Sequence, residues 1–125
     1  MLTANKSSEI SQLFKVMGDP FRVRLLVALA DQEACVCHLE CLLGKRQAYI
    51  SQHLMSLREA GLLSYRRAGK YIFYGLKDKE VLKLILRAAE IAGLTQAELK
   101  KTVKQGSLSL CECPQCGQSK LISIE

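Results

Sequence analysis

The sequence predicts a mainly α-helical domain carrying a single β-hairpin, and three observations predict it. Hydrophobic residues make up 49% of the 125 residues, yet aromatics supply only 6% and Trp is absent. That balance favours helices packed through Leu, Ile, Val and Ala over a β-sandwich. Apolar residues recur at helical spacing along most of the chain, and the period changes once, in "LLSYRRAGKYIFYGL". A domain of this length buries roughly two-thirds of its unfolded surface, so the core needs no disulfide staples.

The elements follow in order. "SSEISQLFKVMGD" sets Ile10, Leu13, Phe14 and Met17 at helical spacing, with Gly18 as the stop. Asp19 then caps a second helix whose first residue is Pro20, where a missing N–H costs nothing. Its run of Phe21, Val23, Leu25, Leu26, Val27 and Leu29 is apolar nearly all round, which marks a central helix. A short helix through Leu42 and Leu43 breaks at Gly44, and "RQAYISQHLMSLREAG" follows with Ile50, Leu54 and Leu57 as its buried stripe and Gly61 as its end. Short helix, Gly turn, second helix is the helix-turn-helix pattern.

In the stretch where the period changes, two runs rich in Tyr, Ile, Phe and Leu flank "RRAGK", and Ile72, Tyr74 and Leu76 alternate toward one face. The expectation is a hairpin with a basic tip, and a helix-turn-helix with such a hairpin is a winged helix. Asp78 caps a further helix ending at Gly93, with Val81, Leu84, Ile85, Ala88 and Ile91 as an apolar face. Thr95 and Glu98 form a capping box for a last helix to about Gln105. Residues 1–105 thus form the folded domain, and 106–125 a Cys-containing tail that needs a ligand or partner for order.

The net charge of +6 is concentrated: residues 45–70 carry six Lys/Arg against Glu59 alone. A compact basic block suits a polyanion such as DNA. No apolar run reaches the length of a membrane span and the first residues lack a signal-peptide core, so the expected location is cytoplasmic with no membrane partner. Six cysteines in a reducing compartment are better read as metal ligands or redox thiols than as disulfides.

"CVCHLECLLGKRQAYISQHLMSLREAGLLSYRRAGKYIFYGL" resembles the ArsR/SmtB family of metal-sensing winged-helix repressors, over roughly Leu13 to Leu76. The parts that carry the resemblance are "CVC", the "ISQHL" and "LREAGLL" of the recognition helix, and "RRAGKYIFYGL" in the wing. It implies a homodimer, built on the first and last core helices, that blocks transcription at an inverted repeat of double-stranded operator DNA and lets go when metal binds. It implies no enzyme.

For DNA, Gln47, Ser51 and Gln52 lie on the exposed side of the recognition helix with Tyr49 beside them, and Gln is suited to paired hydrogen bonds with adenine. Lys45 and Arg46 at the helix entrance, and Arg66, Arg67 and Lys70 on the wing, read as phosphate contacts. His53 reads as packing or a phosphate contact. A dimer would set its two recognition helices about 34–36 Å apart.

Cys37 and Cys41 are i and i+4, so on a helix they share a face. Cys35 joins them only if the start of that helix is extended or unwinds. Three thiolates without usable His or carboxylate suit a soft ion: As(III) or Sb(III), or Cd(II), Pb(II), Zn(II) or Cu(I). Within the family, "CVC" is similar to both arsenic and cadmium/lead sensors. The arsenic pattern has its third Cys three residues after the second, where this chain has Glu40, with Cys41 next. The family's Asp/His zinc or cobalt site on the last core helix is missing from "KDKEVLKLILRAAEIAG", which has no His.

The tail adds Cys111, Cys113 and Cys116 in "CECPQCG". "CPQCG" resembles half of a zinc knuckle, with Gly117 letting the backbone close on the sulfurs. The cluster is expected to hold zinc by itself or to complete a site with Cys35 and Cys37 of either subunit. Three other readings compete, of which a metal carrier without DNA contact would leave the recognition helix and the basic wing unexplained. A thiol redox or persulfide sensor would gain from cations beside the thiols, and only His38 and Glu40 stand near in sequence. A thiol oxidoreductase using "CPQC" would need a βαβ context that the preceding helices do not supply.

Overall fold

The computed structural model describes residues 2–101 and Val103. Its elements run α1 (Leu2–Met17), α2 (Pro20–Asp31), β1 (Ala34–Cys35), α3 (Val36–Leu43), α4 (Gln47–Glu59), β2 (Leu63–Ala68), β3 (Tyr71–Leu76), α5 (Glu80–Ile91) and α6 (Gln96–Lys101).

Local signals place most boundaries. Asp19 Oδ1 accepts from the backbone N–H of Phe21 at 2.8 Å and of Arg22 at 3.3 Å, with Pro20 at the first helical position. Asp78 Oδ1 accepts from Glu80 N at 2.9 Å, one residue ahead of the assigned cap of α5. Thr95 and Glu98 close a reciprocal box: Glu98 N donates to Thr95 Oγ1 at 3.1 Å, and Thr95 N to Glu98 Oε1 at 3.2 Å. Gly44 ends α3 in the left-handed region, φ 68°, with its N–H donating to Glu40 O. A Cβ there would be strained, and this residue turns α3 into α4.

The core is built around α2, whose Leu25 and Leu26 are fully buried together with Leu39, Ile50, Leu54 and Leu57 from α3 and α4. Burying each such side chain contributes about 1.5–3 kcal/mol, so this six-residue cluster fixes the angle at which α4 is held. The near-uniform apolarity of α2 has this cause: α1, α3, α5 and β3 all pack on it.

The sheet departs from the sequence expectation in three ways. It has three strands in the order β1-β3-β2, all antiparallel, because Ala34 and Cys35 pair with Tyr74 and Phe73. Two residues carry too little periodicity to announce a strand. The buried side chain of β3 is also Phe73, with Ile72, Tyr74 and Leu76 half-buried. Both faces of the strand find neighbours: Tyr74 and Leu76 pack on the main core, and Phe73 packs with Cys35 on the other side. The basic tip is shorter than the run "RRAGK", since Arg66, Arg67 and Ala68 belong to β2 and only Gly69 and Lys70 make the turn. Gly69, at φ 63°, supplies the positive dihedral a two-residue hairpin needs.

The apolar face assigned to α5 divides. Ile85 and Ala89 are buried, whereas Leu84, Ala88 and Ile91 point outward, Ile91 being 88% exposed. On α1, Ile10 and Phe14 are also exposed. Among the described residues no helix is long and apolar enough to cross a membrane.

Candidate DNA-reading surface and thiol site

Helix α4 buries Ile50, His53, Leu54 and Leu57 and turns its opposite side to solvent. Gln47, Tyr49 and Gln52 are exposed and Ser51 is half-buried. Met55, 50% exposed, stands three residues beyond Gln52 on the same side. Sequence reading passed over it, although its spacing from Gln52 was the signal; an apolar side chain there suits a thymine methyl.

Tyr49 does more than flank the polar stripe. Its ring lies 4.6 Å from His53 and 4.9 Å from Phe21, and Phe21 lies 5.2 Å from His53, a trio that locks α4 onto the start of α2. Arg22 Nε donates to His53 Nδ1 at 2.9 Å, and its Nη1 to Val16 O at 3.1 Å. His53 is therefore packing, not a surface cation. Burial pushes its pKa below the usual histidine value, the Asp19 charge opposes this and Arg22 adds to it.

The basic residues fall into two sets. Lys45, Arg46, Arg67 and Lys70 are exposed, Lys45 lying over the Tyr49 ring at 5.5 Å and Lys70 over Tyr71 at 5.6 Å. Arg66 is engaged with protein. Its Nε donates to both Glu33 carboxylate oxygens, at 3.0 and 3.1 Å, its Nη2 lies 3.0 Å from Oε1, and its guanidinium sits 4.8 Å from the centre of the Phe73 ring. Arg58 likewise covers Tyr65, at 3.7 Å.

The thiols gather where β1 meets α3. Cys35 is extended, at φ −85° and ψ 165°, and caps the helix; Cys37 lies in its first turn. This geometry brings the two Sγ atoms to 3.1 Å. Cys35 is buried, Cys37 and Cys41 are half-buried, and all three pack in one cluster with Phe73, Ala68 and Tyr71. Among the described residues, no three His, Cys, Asp or Glu side chains already surround a point that an ion would fill. The preformed element is the Cys35–Cys37 pair, with Cys41 packed against the same cluster.

His38 lies elsewhere: it lines a cavity of about 200 Å³ with Val27, Leu42, Leu82 and Leu86, and burial lowers its pKa. Cys111, Cys113 and Cys116 lie outside the described residues.

A helix-turn-helix with a short-tipped wing and a thiol pair behind it meets a match in sequence. The model for bacterial regulatory proteins of the arsR family fits residues 19–65. A cadmium resistance transcriptional regulatory protein CadC homolog from Staphylococcus aureus is 31% identical over 88 residues, covering 70% of this chain and 73% of that protein. The chain belongs to the ArsR family. An arsenical resistance operon repressor from Escherichia coli is 44% identical to this ArsR-family chain over 66 residues, covering 52% and 56%. The crystal structure of NolR from Sinorhizobium fredii superposes with a TM-score of 0.68 at 29% identity, over 74% of this chain and 93% of that one. The ArsR-family protein is thus a winged-helix transcriptional regulator and not an enzyme.

Proposed function

We propose that this ArsR-family protein is a homodimeric repressor that holds double-stranded operator DNA through α4 and the wing. A soft, thiophilic ion, As(III) foremost, releases it by binding Cys35, Cys37 and Cys41. The observation that carries the reading is the 3.1 Å approach of the Cys35 and Cys37 sulfurs on the strand and helix behind α4. Such a donor set is all sulfur and apolar in its surroundings, which selects for soft ions over Mg(II) or Ca(II). The relatives named for arsenical and cadmium resistance support As(III) and the alternative Cd(II), and the same sulfur donors also suit the alternatives Pb(II), Zn(II) and Cu(I). In this reading Gln47, Ser51 and Gln52 read bases, Tyr49 holds the helix, and Lys45, Arg46, Arg67 and Lys70 meet phosphates. The tail thiols Cys111, Cys113 and Cys116 bind zinc or complete the effector site.

Dimerisation is supported by the outward stripe of Leu84, Ala88 and Ile91 on α5 and by Ile10 and Phe14 on α1, apolar side chains that a lone domain leaves in water.

A thiol redox switch is the second reading, because sulfurs this close also favour oxidation to a bond between them. One titration separates the two. Fluorescence anisotropy of a promoter duplex bound by reduced protein is followed against As(III), Cd(II), Pb(II), Zn(II) and Cu(I), for wild type and Cys35→Ser/Cys37→Ser. Release by an ion from the wild type alone upholds the metal reading and names the ion. Release by peroxide or polysulfide, with no ion effective, upholds the redox reading.

A further inference from the structure

We propose that Glu33 and Arg66 are the positioning pair through which an ion at the thiols acts on the wing. The inference rests on the thiol-effector reading above and names its route. Three observations carry it. First, the strand register sets Cys35, Phe73 and Arg66 side by side across β1, β3 and β2, so their side chains share one face of the sheet. Cys35 packs on Phe73, and the Arg66 guanidinium covers the same ring at 4.8 Å. Second, Glu33 precedes Cys35 by two residues and grips Arg66 through three N···O approaches of 3.0–3.1 Å. Third, the Glu33 stem lies against β3: its Cγ is 3.4 Å from the Cβ position of the buried Gly75, an ordinary van der Waals contact.

Cys35 is the point at which an ion would pull on this route. Its Sγ meets that of Cys37 at 3.1 Å, and it sits on a strand of two residues whereas Cys37 lies in the first turn of α3. An ion drawing on both thiolates would act on β1 and, through it, on Glu33, two residues before Cys35. A fork of hydrogen bonds and a ring contact tolerate little sliding, and the wing loses the brace that sets its angle to α4. Glu33 and Arg66 are both about half exposed, so the pair adds little to folding stability; its work is positional.

The test uses full-length reduced protein, a duplex bound by the wild type, and Cd(II) as the probe ion. Cd(II) affinity is read from thiolate-to-metal charge-transfer absorbance, and DNA affinity from anisotropy with and without Cd(II). In the wild type Cd(II) is expected to weaken DNA binding by about 5–150-fold. In Glu33→Ala, ion-free DNA binding is already weaker, Cd(II) binds as tightly as before, and its further effect on DNA falls to about twofold or less. Glu33→Gln, which keeps an acceptor for Arg66, restores part of the response. The salt dependence of DNA binding stays unchanged in Glu33→Ala, because Arg66 braces the wing and does not replace a phosphate counterion. A full Cd(II) response in Glu33→Ala, or a salt slope raised by about one as a freed Arg66 takes a phosphate, overturns the inference and leaves the thiol-effector reading standing. Where the wild type does not respond to Cd(II), As(III) takes its place as the probe; a wild type that binds neither ion, or binds them without any change in DNA affinity, overturns both.

Discussion

Arg22 Nε donates to His53 Nδ1 across 2.9 Å, tying the central helix to the middle of the recognition helix. The acceptor nitrogen must be unprotonated, so the bond exists only while His53 is neutral.

Stability should therefore depend on pH with a defined sign. Burial lowers the pKa of both histidines, His53 and His38, below the ordinary 6.5. A histidine kept neutral by the fold contributes its full stabilisation above pH 6.5, and that contribution is lost as pH falls through 6.5 toward the lowered folded value. The thermal midpoint is expected to drop as pH is lowered from 7.5 to 5.5, and to drop less in His53→Gln. Equal slopes in the two proteins would show that the Arg22–His53 bond has no part in it.

On DNA, the two kinds of contact should separate by their salt dependence. Gln52→Ala is expected to cost about 1–3 kcal/mol at its own base pair and to relax preference there. Arg67→Ala and Lys70→Ala should weaken binding to all sequences alike and lower the salt slope by about one each. Anisotropy titrations across a salt series, on the selected duplex and on single-base variants of it, read both quantities.

Exposed apolar side chains on α1 and α5 predict the assembly. Phe14→Glu and Ile91→Glu place charge on surfaces that the isolated domain leaves open, at 56% and 88% exposure. Sedimentation velocity should show a monomer for each where the wild type is a dimer, with far-ultraviolet dichroism unchanged. DNA affinity should collapse with the dimer, since a second half-site no longer adds. A dimeric Ile91→Glu would remove α5 from the interface.

Among the thiols, rank should follow geometry. Cys35→Ser and Cys37→Ser each remove one member of the preformed pair and should abolish ion-driven release. Cys41→Ser leaves the 3.1 Å pair intact and should weaken ion binding while retaining some response. Zinc content by mass spectrometry of Cys111→Ser/Cys113→Ser/Cys116→Ser, against wild type, decides whether the tail holds a separate ion.

The core should be least forgiving where α4 is seated. Leu54→Ala, at 1% exposure, is expected to cost about 2–5 kcal/mol in urea unfolding. Met55→Ala, its exposed neighbour, should cost less than about 1 kcal/mol and register in DNA affinity instead.

Much of this protein was legible in its sequence because the signals are local. Asp19 before Pro20, Gly44 between two apolar runs, and Thr95 with Glu98 each satisfy or release backbone groups within a few residues of themselves. The seat of α4 was legible too, since Ile50, Leu54 and Leu57 share a helix face by spacing alone. The family followed from the same stretches. What the chain order did not carry were contacts across it. Glu33 and Arg66 are 33 residues apart, Arg22 and His53 31, and neither pair has a periodicity that announces its partner. A two-residue strand has no pattern to read, so the pairing of Cys35 with Phe73 had to await β3. Sequence by itself determined the winged-helix fold and the family, and it singled out the residues to test for binding DNA and a soft ion. Tertiary structure decided that Arg66 is held by Glu33, that His53 is a buried acceptor, and that two of the thiols already meet, because each depends on which surfaces the packed core brings face to face.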